Sequence, residues 1–157
     1  MLLKNTGRYP THEVRKLLAV AARGLDLERV AVHVVDSHRA YDDRPCIAKM
    51  VRVPIGADHL VTLRIGAPGQ FPADNMRTVM TWGKGSPLIV MMDWREGLVA
   101  LAAHKFNHIR QFHNNWPRSW SEVQCEKFAA KRLAAYRESS LRTARNGRLA
   151  PWAPRSM

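Results

Sequence analysis

The sequence predicts an α+β fold, in which one N-terminal helix and two C-terminal helices pack on a small, mostly antiparallel sheet. Three observations support this prediction. A helical apolar pattern comes first, short β-branched runs separated by Gly and Pro follow, and two longer helical patterns come last. The 157 residues have the size of one domain. We expect that domain to span residues 1–138, with a basic, partly disordered tail over residues 139–157.

The first half of the chain contains one predicted helix and most of the predicted strands. Apolar residues recur at helical spacing between Val14 and Ala21, which predicts a helix over residues 11–25. The run HLVTLRI alternates apolar and polar residues, as a half-buried strand does. Short β-branched or apolar runs predict the other strands. The predicted strands are residues 30–35, 47–53, 59–65 and 87–92.

Two helices are predicted in the second half. Asp93 and Glu96 form a pattern close to a capping box, and the run LVALAAHKFNHIRQF over residues 98–112 continues at helical spacing. A last helix is predicted to begin near Ser121, because two overlapping cap patterns occur there. The buried side of this helix is expected to contain Val123, Phe128, Ala129, Leu133 and Tyr136.

Charge and composition restrict the class of protein. The net charge is +12, from 25 basic and 13 acidic residues, and such a charge favours contact with nucleic acid or an acidic partner. No run of 18 apolar residues predicts a membrane span, so no membrane partner is expected. Two cysteines, Cys46 and Cys125, do not suggest a disulfide framework. We therefore expect a soluble protein of a reducing compartment, the cytoplasm.

The segment that carries chemistry lies in the first of the two late helices. His104 and His108 are four residues apart, so a helix presents both imidazoles on one face. Glu122 and Glu126 share the same spacing on the following helix. Two histidines and a glutamate are a common ligand set for catalytic zinc, so Glu122 is the candidate third ligand of one Zn²⁺. Glu126 could accept the free N–H of a ligating histidine.

These residues resemble the gluzincin class of zinc metallopeptidases, especially its small single-domain members. In that class a helix with H-E-x-x-H is followed by a helix with E-x-x-A-[DE]-x-[FW]-A. The resemblance implies a zincin-like fold and the hydrolysis of a peptide or protein substrate. It carries the metal ligands onto His104, His108 and Glu122, and the supporting acid onto Glu126. Cys125 departs mildly from the pattern, since alanine is common at that position.

Lys105 is the severe departure from the pattern, because it occupies the position of the catalytic glutamate. In the family that glutamate is the general base for the attacking water. A protonated lysine can only donate a proton, and its charge opposes the binding of a cation. We therefore expect little or no peptidase activity and a weakened zinc site. A natural loss of the base and a deliberate inactivating substitution both fit this pattern.

Two other functions stay open at this point. One is a nucleic-acid-binding protein on a degenerate zincin scaffold, with its basic surface at Lys127, Lys131, Arg132 and Arg137. The other is an interaction module that binds no metal. Metal content and salt-dependent binding to nucleic acid distinguish these possibilities.

Overall fold

The computed structural model describes residues 1–37, 54–76, 79–80, 85–114 and 121–149. Within these ranges the chain forms five strands and three long helices, in the order β1, α1, β2, β3, β4, β5, α2, α3. Their bounds are Leu2–Asn5 (β1), Thr11–Ala22 (α1), Val30–Asp36 (β2), His59–Ile65 (β3), Ala73–Asp74 (β4), Val90–Met91 (β5), Trp94–His113 (α2) and Ser121–Leu149 (α3). The helices in these ranges include none with the length and apolarity needed to cross a membrane.

The main sheet has the order β1-β2-β3, and all of its pairings are parallel. The predicted strands over residues 30–35 and 59–65 are present, but the prediction of a mostly antiparallel sheet was wrong for these three strands. For the β1–β2 pair the physical reason is the unpredicted strand β1, which pairs Leu2 with Ala31. Helix α1 connects β1 to β2, and such a crossover returns the chain in the same direction. The mixed helix and sheet content is consistent with the α+β class.

A second, two-stranded sheet pairs β4 with β5 in antiparallel fashion. It covers only part of the strand predicted over residues 87–92. Ile89 and Met91 are buried while Leu88, Val90 and Met92 are exposed, so this segment is half-buried and not fully buried as predicted. The strand predicted over residues 47–53 lies outside the described residues.

Helix α1 buries the apolar face that its spacing predicted, through Val14, Leu17, Leu18 and Ala21. It ends at Ala22, three residues before the predicted end. The chain leaves the helix at Arg23, and Gly24 has a φ of 75°, a left-handed conformation that glycine adopts without steric cost. This turn directs the chain toward β2.

Helix α2 is the centre of the structure and begins as its cap pattern predicted. The Asp93 side chain accepts a hydrogen bond from the backbone N–H of Glu96 (2.9 Å), and the Glu96 carboxylate accepts one from the N–H of Met92 (2.8 Å). The helix packs against α1, α3 and β3, and every residue from Gly97 to His104 is buried. This burial fixes the histidine-bearing turns within the core.

Helix α3 is longer than predicted. The part from Ser139, predicted as partly disordered, continues as helix to Leu149, and the side chains of residues 139–146 are exposed. The chain has no proline in this stretch before Pro151, and Arg142 pairs with Glu138 one turn away, so the helix can continue past Ser139. Residues 150–157 lie outside the described ranges, and the division at residue 138 stays a prediction.

A half-buried carboxylate connects α2 to α3. The Glu96 carboxylate accepts two hydrogen bonds from Arg137, at 2.8 Å and 2.6 Å, and Arg137 also donates to the carbonyl of Val90. The bonds from Arg137 hold the pKa of Glu96 below its ordinary value, although burial acts against this. A bidentate pair of this kind fixes both the distance and the orientation of the two helices.

We expect this pair to make stability depend on pH in the acidic range. Because the pKa of Glu96 is lowered in the folded state, its contribution is fully present above the unfolded value of about 4.3 and is lost as pH falls through the folded pKa. Arg137→Met should cost about 1 kcal/mol more at pH 7 than at pH 3, a modest value because the guanidinium is partly exposed. Urea unfolding at the two pH values measures this difference.

The matched control is Arg142→Met, which removes an ion pair whose two side chains are both largely exposed. It should change the free energy of unfolding by much less at either pH. An equal cost of Arg137→Met at pH 3 and pH 7 would contradict a structural role for the ionised Glu96.

Candidate metal site

The two histidines of α2 lie on one face of the helix, one turn apart, as their spacing predicted. The Nε2 atoms of His104 and His108 are 3.0 Å apart. His104 is almost fully buried, whereas about a quarter of the His108 side chain is exposed. Both ring nitrogens therefore face a common point close to the protein surface.

Glu122, in the first turn of α3, brings its carboxylate to the same point. One oxygen lies 3.2 Å from Nε2 of His104, and the other lies 3.2 Å from Nε2 of His108. A tetrahedral zinc ion with bonds of about 2.0–2.1 Å holds its ligand atoms about 3.3 Å apart. The spacing of these nitrogen and oxygen atoms thus fits a single ion of that size.

Glu126 lies one turn further along α3 and is fully buried. Its Oε1 atom is 3.0 Å from Nδ1 of His104, although the ring N–H does not point straight along this line. Neither atom has another hydrogen-bond partner among the described residues. The arrangement places a carboxylate behind the ring nitrogen that a metal would leave free, which is the position predicted for it.

The pKa values of Glu122 and His104 are shifted by burial and by the neighbouring groups. Burial alone would raise the pKa of Glu122, but hydrogen bonds with His104 and His108 hold this pKa far below its usual range. Burial lowers the pKa of His104, but the adjacent carboxylates of Glu122 and Glu126 outweigh this effect and raise it overall. A divalent cation bound at the two Nε2 atoms would take the place of protons between these nitrogens and Glu122.

Cys125 offers a sulfur ligand atom near the site. The sequence interpretation treated this residue only as a departure from a motif. Donor atoms of His104, His108 and Cys125 lie within 4.8 Å of one another, so a cation could also recruit sulfur. The thiol is fully buried, accepts a hydrogen bond from Asn107 (3.3 Å) and lies 3.5 Å from Oε1 of Gln111. Burial raises the pKa of this thiol to about 12. The Glu122 carboxylate lies 3.2 Å from each Nε2 atom, so Glu122 and Cys125 are both candidates for a third ligand.

Lys105, beside His104 on α2, is half-buried. Among the described residues it has no hydrogen-bond or ion-pair partner. Its positive charge is one of the smaller influences on the pKa of His104, and it acts downward. A lysine with no ion-pair partner among the described residues therefore occupies the position that was predicted for a general base.

The four basic residues predicted as a nucleic-acid surface do not form one free face. Lys127 and Lys131 are exposed. Arg132 lies over the ring of Phe128 and donates to the carbonyl of Arg23, while Arg137 is held by Glu96. Trp116 and Trp120, aromatic residues of a type that can stack on bases, lie outside the described residues.

Asn75 is the site residue that the sequence interpretation missed entirely. It follows β4 and donates a hydrogen bond of 2.6 Å to the second oxygen of Glu126. It lies 51 positions before Glu126, in a loop region rich in Gly and Pro, and no periodicity marks it. Only the tertiary fold brings the two residues together.

Searches against family models, curated proteins and solved structures found no match to this chain. The resemblance to gluzincins and the roles of the site residues therefore stay predictions, and the geometry above is what supports them.

Proposed function

We propose that this protein binds one Zn²⁺ through His104, His108 and Glu122, on a metallopeptidase-like scaffold that has lost its general base. The observation that carries this proposal is the convergence of three donor groups from two helices at mutual distances of 3.0–3.2 Å. Two neutral imidazoles and one carboxylate form a ligand set that suits zinc. Because His108 and Glu122 are partly exposed, an ion held by these residues would be accessible to a further ligand.

The residues present support binding better than hydrolysis. Zinc in such a site supplies Lewis acidity toward a peptide carbonyl or a water molecule. Hydrolysis also needs a group that accepts a proton from the water and delivers it to the leaving nitrogen. Glu126 is turned toward Nδ1 of His104, and Lys105 carries a positive charge. The proposed state is therefore a zinc-binding relative of peptidases with little or no turnover of peptide or protein substrates.

Stabilisation by zinc tests the proposal. A ligand that binds only the folded state raises stability by RT ln(1 + [L]/Kd), about 2.7 kcal/mol when its concentration is about 100 times Kd. We expect added Zn²⁺ to raise the melting temperature of the wild-type protein by several degrees, and added Mg²⁺ to leave it unchanged. Differential scanning calorimetry of metal-stripped protein measures both.

The matched control for this measurement is His113→Ala, which removes a histidine of the same helix that lies outside the site. It should keep the zinc-induced shift, whereas His108→Ala should abolish it. A shift that persists in His108→Ala would place the bound zinc elsewhere.

A second candidate function, binding of nucleic acid, is favoured by the exposed side of α3. Lys127, Lys131 and Arg145 are exposed and fall within about 40° of one another around a regular helix. We expect a duplex to be shifted on a gel at low salt, with affinity falling steeply as salt rises. Lys127→Glu with Lys131→Glu should abolish the shift. The absence of any shift at an ionic strength of roughly 0.02 M, where screening is weak, would eliminate this candidate.

A further inference from the structure

We propose that Asn75 is a positioning residue of the metal site, which holds the Glu126 carboxylate against the ring of His104. This inference rests on the proposed binding of zinc. Asn75 contacts neither the ion nor the donor atoms of the metal ligands. Its role is exerted through Glu126.

The amide of Asn75 is fixed at both ends. Its Oδ1 accepts a hydrogen bond of 2.6 Å from the backbone N–H of Ile89. Because a backbone N–H can only donate, this bond requires that Nδ2 face the other way, toward Glu126 and the carbonyl of Pro87. The backbone of Asn75 also donates to the carbonyl of Ile89 (3.2 Å), so the residue is anchored beside the β4–β5 ladder.

Glu126 depends on this amide for its burial. A carboxylate without solvent contact is costly unless its oxygens are hydrogen-bonded. The Oε2 atom has its bond from Asn75 at 2.6 Å, and Oε1 faces Nδ1 of His104 at 3.0 Å. No other described side chain donates a hydrogen bond to this carboxylate. The hydrogen bond from Asn75 therefore fixes the orientation of the Glu126 carboxylate, and with it the direction of Oε1.

The neutrality of the amide matters for this role. An arginine or lysine at this place would neutralise Glu126 and weaken its attraction for the N–H of His104. A neutral amide donates a hydrogen bond to one oxygen of Glu126 and leaves its negative charge in place. That charge still attracts the His104 imidazole. With the proton held on Nδ1, the Nε2 atom of His104 is the nitrogen left to bind a metal. The chain of contacts thus runs from the Ile89 backbone through Asn75 and Glu126 to His104.

A double-mutant cycle on zinc affinity tests the inference. Asn75→Ala should weaken Zn²⁺ binding by about 10–100-fold, as loss of a group that supports a ligand typically does. In a Glu126→Gln background the same substitution should change the affinity by about twofold or less, because its target is gone. Competition with a chelating indicator measures all four affinities, and urea unfolding of the metal-free proteins measures stability separately.

Two further variants keep the test decisive. Asn107→Ala also removes a buried asparagine of this region, but its amide bonds to Cys125 and not to Glu126. Its effect on zinc affinity should therefore be the same in the wild-type and Glu126→Gln backgrounds. If Asn75→Ala does not fold, Asn75→Asp replaces it. The aspartate keeps the acceptor for Ile89 and replaces the donor with a carboxyl that repels Glu126, so zinc affinity should again fall by about tenfold or more.

The outcomes separate the two proposals. If wild-type protein binds zinc through Glu122, and Asn75→Ala weakens binding equally with or without the Glu126 carboxylate, then Asn75 is merely structural and the inference is overturned. An unchanged affinity of Asn75→Ala overturns it as well. If the wild-type protein binds no zinc, the proposed function fails and this inference fails with it.

Discussion

The variant Lys105→Glu is expected to hydrolyse peptides about 10²–10⁴-fold faster than the wild-type protein, the usual contribution of a positioned general base. Position 105 lies beside His104 on α2, and its side chain has no ion-pair partner among the described residues that would hold it away from the site. A glutamate there would accept the proton of the attacking water in place of a cation that can only donate. Cleavage of a quenched-fluorescent peptide library with added zinc measures the gain.

Two control variants distinguish the effect of adding a general base from the effect of removing the positive charge of Lys105. Lys105→Met removes the positive charge without adding a base, so it should tighten zinc binding by about tenfold and leave hydrolysis near the wild-type rate. Lys127→Glu makes the same change of charge as Lys105→Glu at an exposed position of α3 and should alter neither quantity by much. If Lys105→Glu binds zinc and cleaves no peptide in the library, peptide hydrolysis is not a latent activity of this scaffold.

The second large effect is expected for Glu122→Gln, which should lower zinc affinity by more than the roughly 10–100-fold typical of a supporting residue. The substitution keeps the shape of the side chain and removes the negative charge that lies 3.2 Å from each of the two Nε2 atoms. The metal-free protein should stay folded, because the side chain is partly exposed. Zinc competition titrations measure the affinity, and circular dichroism of the metal-free variant shows whether it is folded.

Glu138→Gln provides the matched control, since it neutralises a glutamate of the same helix at an exposed position far along α3. Its zinc affinity should equal that of the wild-type protein. Cys125→Ala extends the comparison to the sulfur donor. If Cys125→Ala lost zinc binding and Glu122→Gln kept it, the ligand set would be two histidines and a cysteine.

The local parts of this structure could be predicted from the sequence, because they depend on residues a few positions apart. The cap of α2 at Asp93, the common face of His104 and His108, and the strand HLVTLRI all follow from spacing or cap chemistry. The same holds for the position of Glu122 in the first turn of α3.

The predictions that failed concern contacts between residues distant in the chain. Strand β1 has only four residues and is a strand because it pairs with β2, so the parallel direction of the sheet could not be predicted from LLKN alone. Asn75 contributes to the site only through a tertiary contact, its hydrogen bond to Glu126 on α3. The end of α3 was misjudged because polar composition was given more weight than the absence of a helix-breaking proline.

X-ray absorption spectroscopy at the zinc edge of the zinc-loaded protein reports on the proposed ligand set itself. We expect one zinc per chain with two imidazole nitrogens and carboxylate oxygen at about 2.0–2.1 Å, and no sulfur at about 2.3 Å. The His108→Ala variant should hold no zinc after the same loading and desalting. A sulfur ligand, or a wild-type protein that holds no zinc after loading and desalting, would contradict the proposed site.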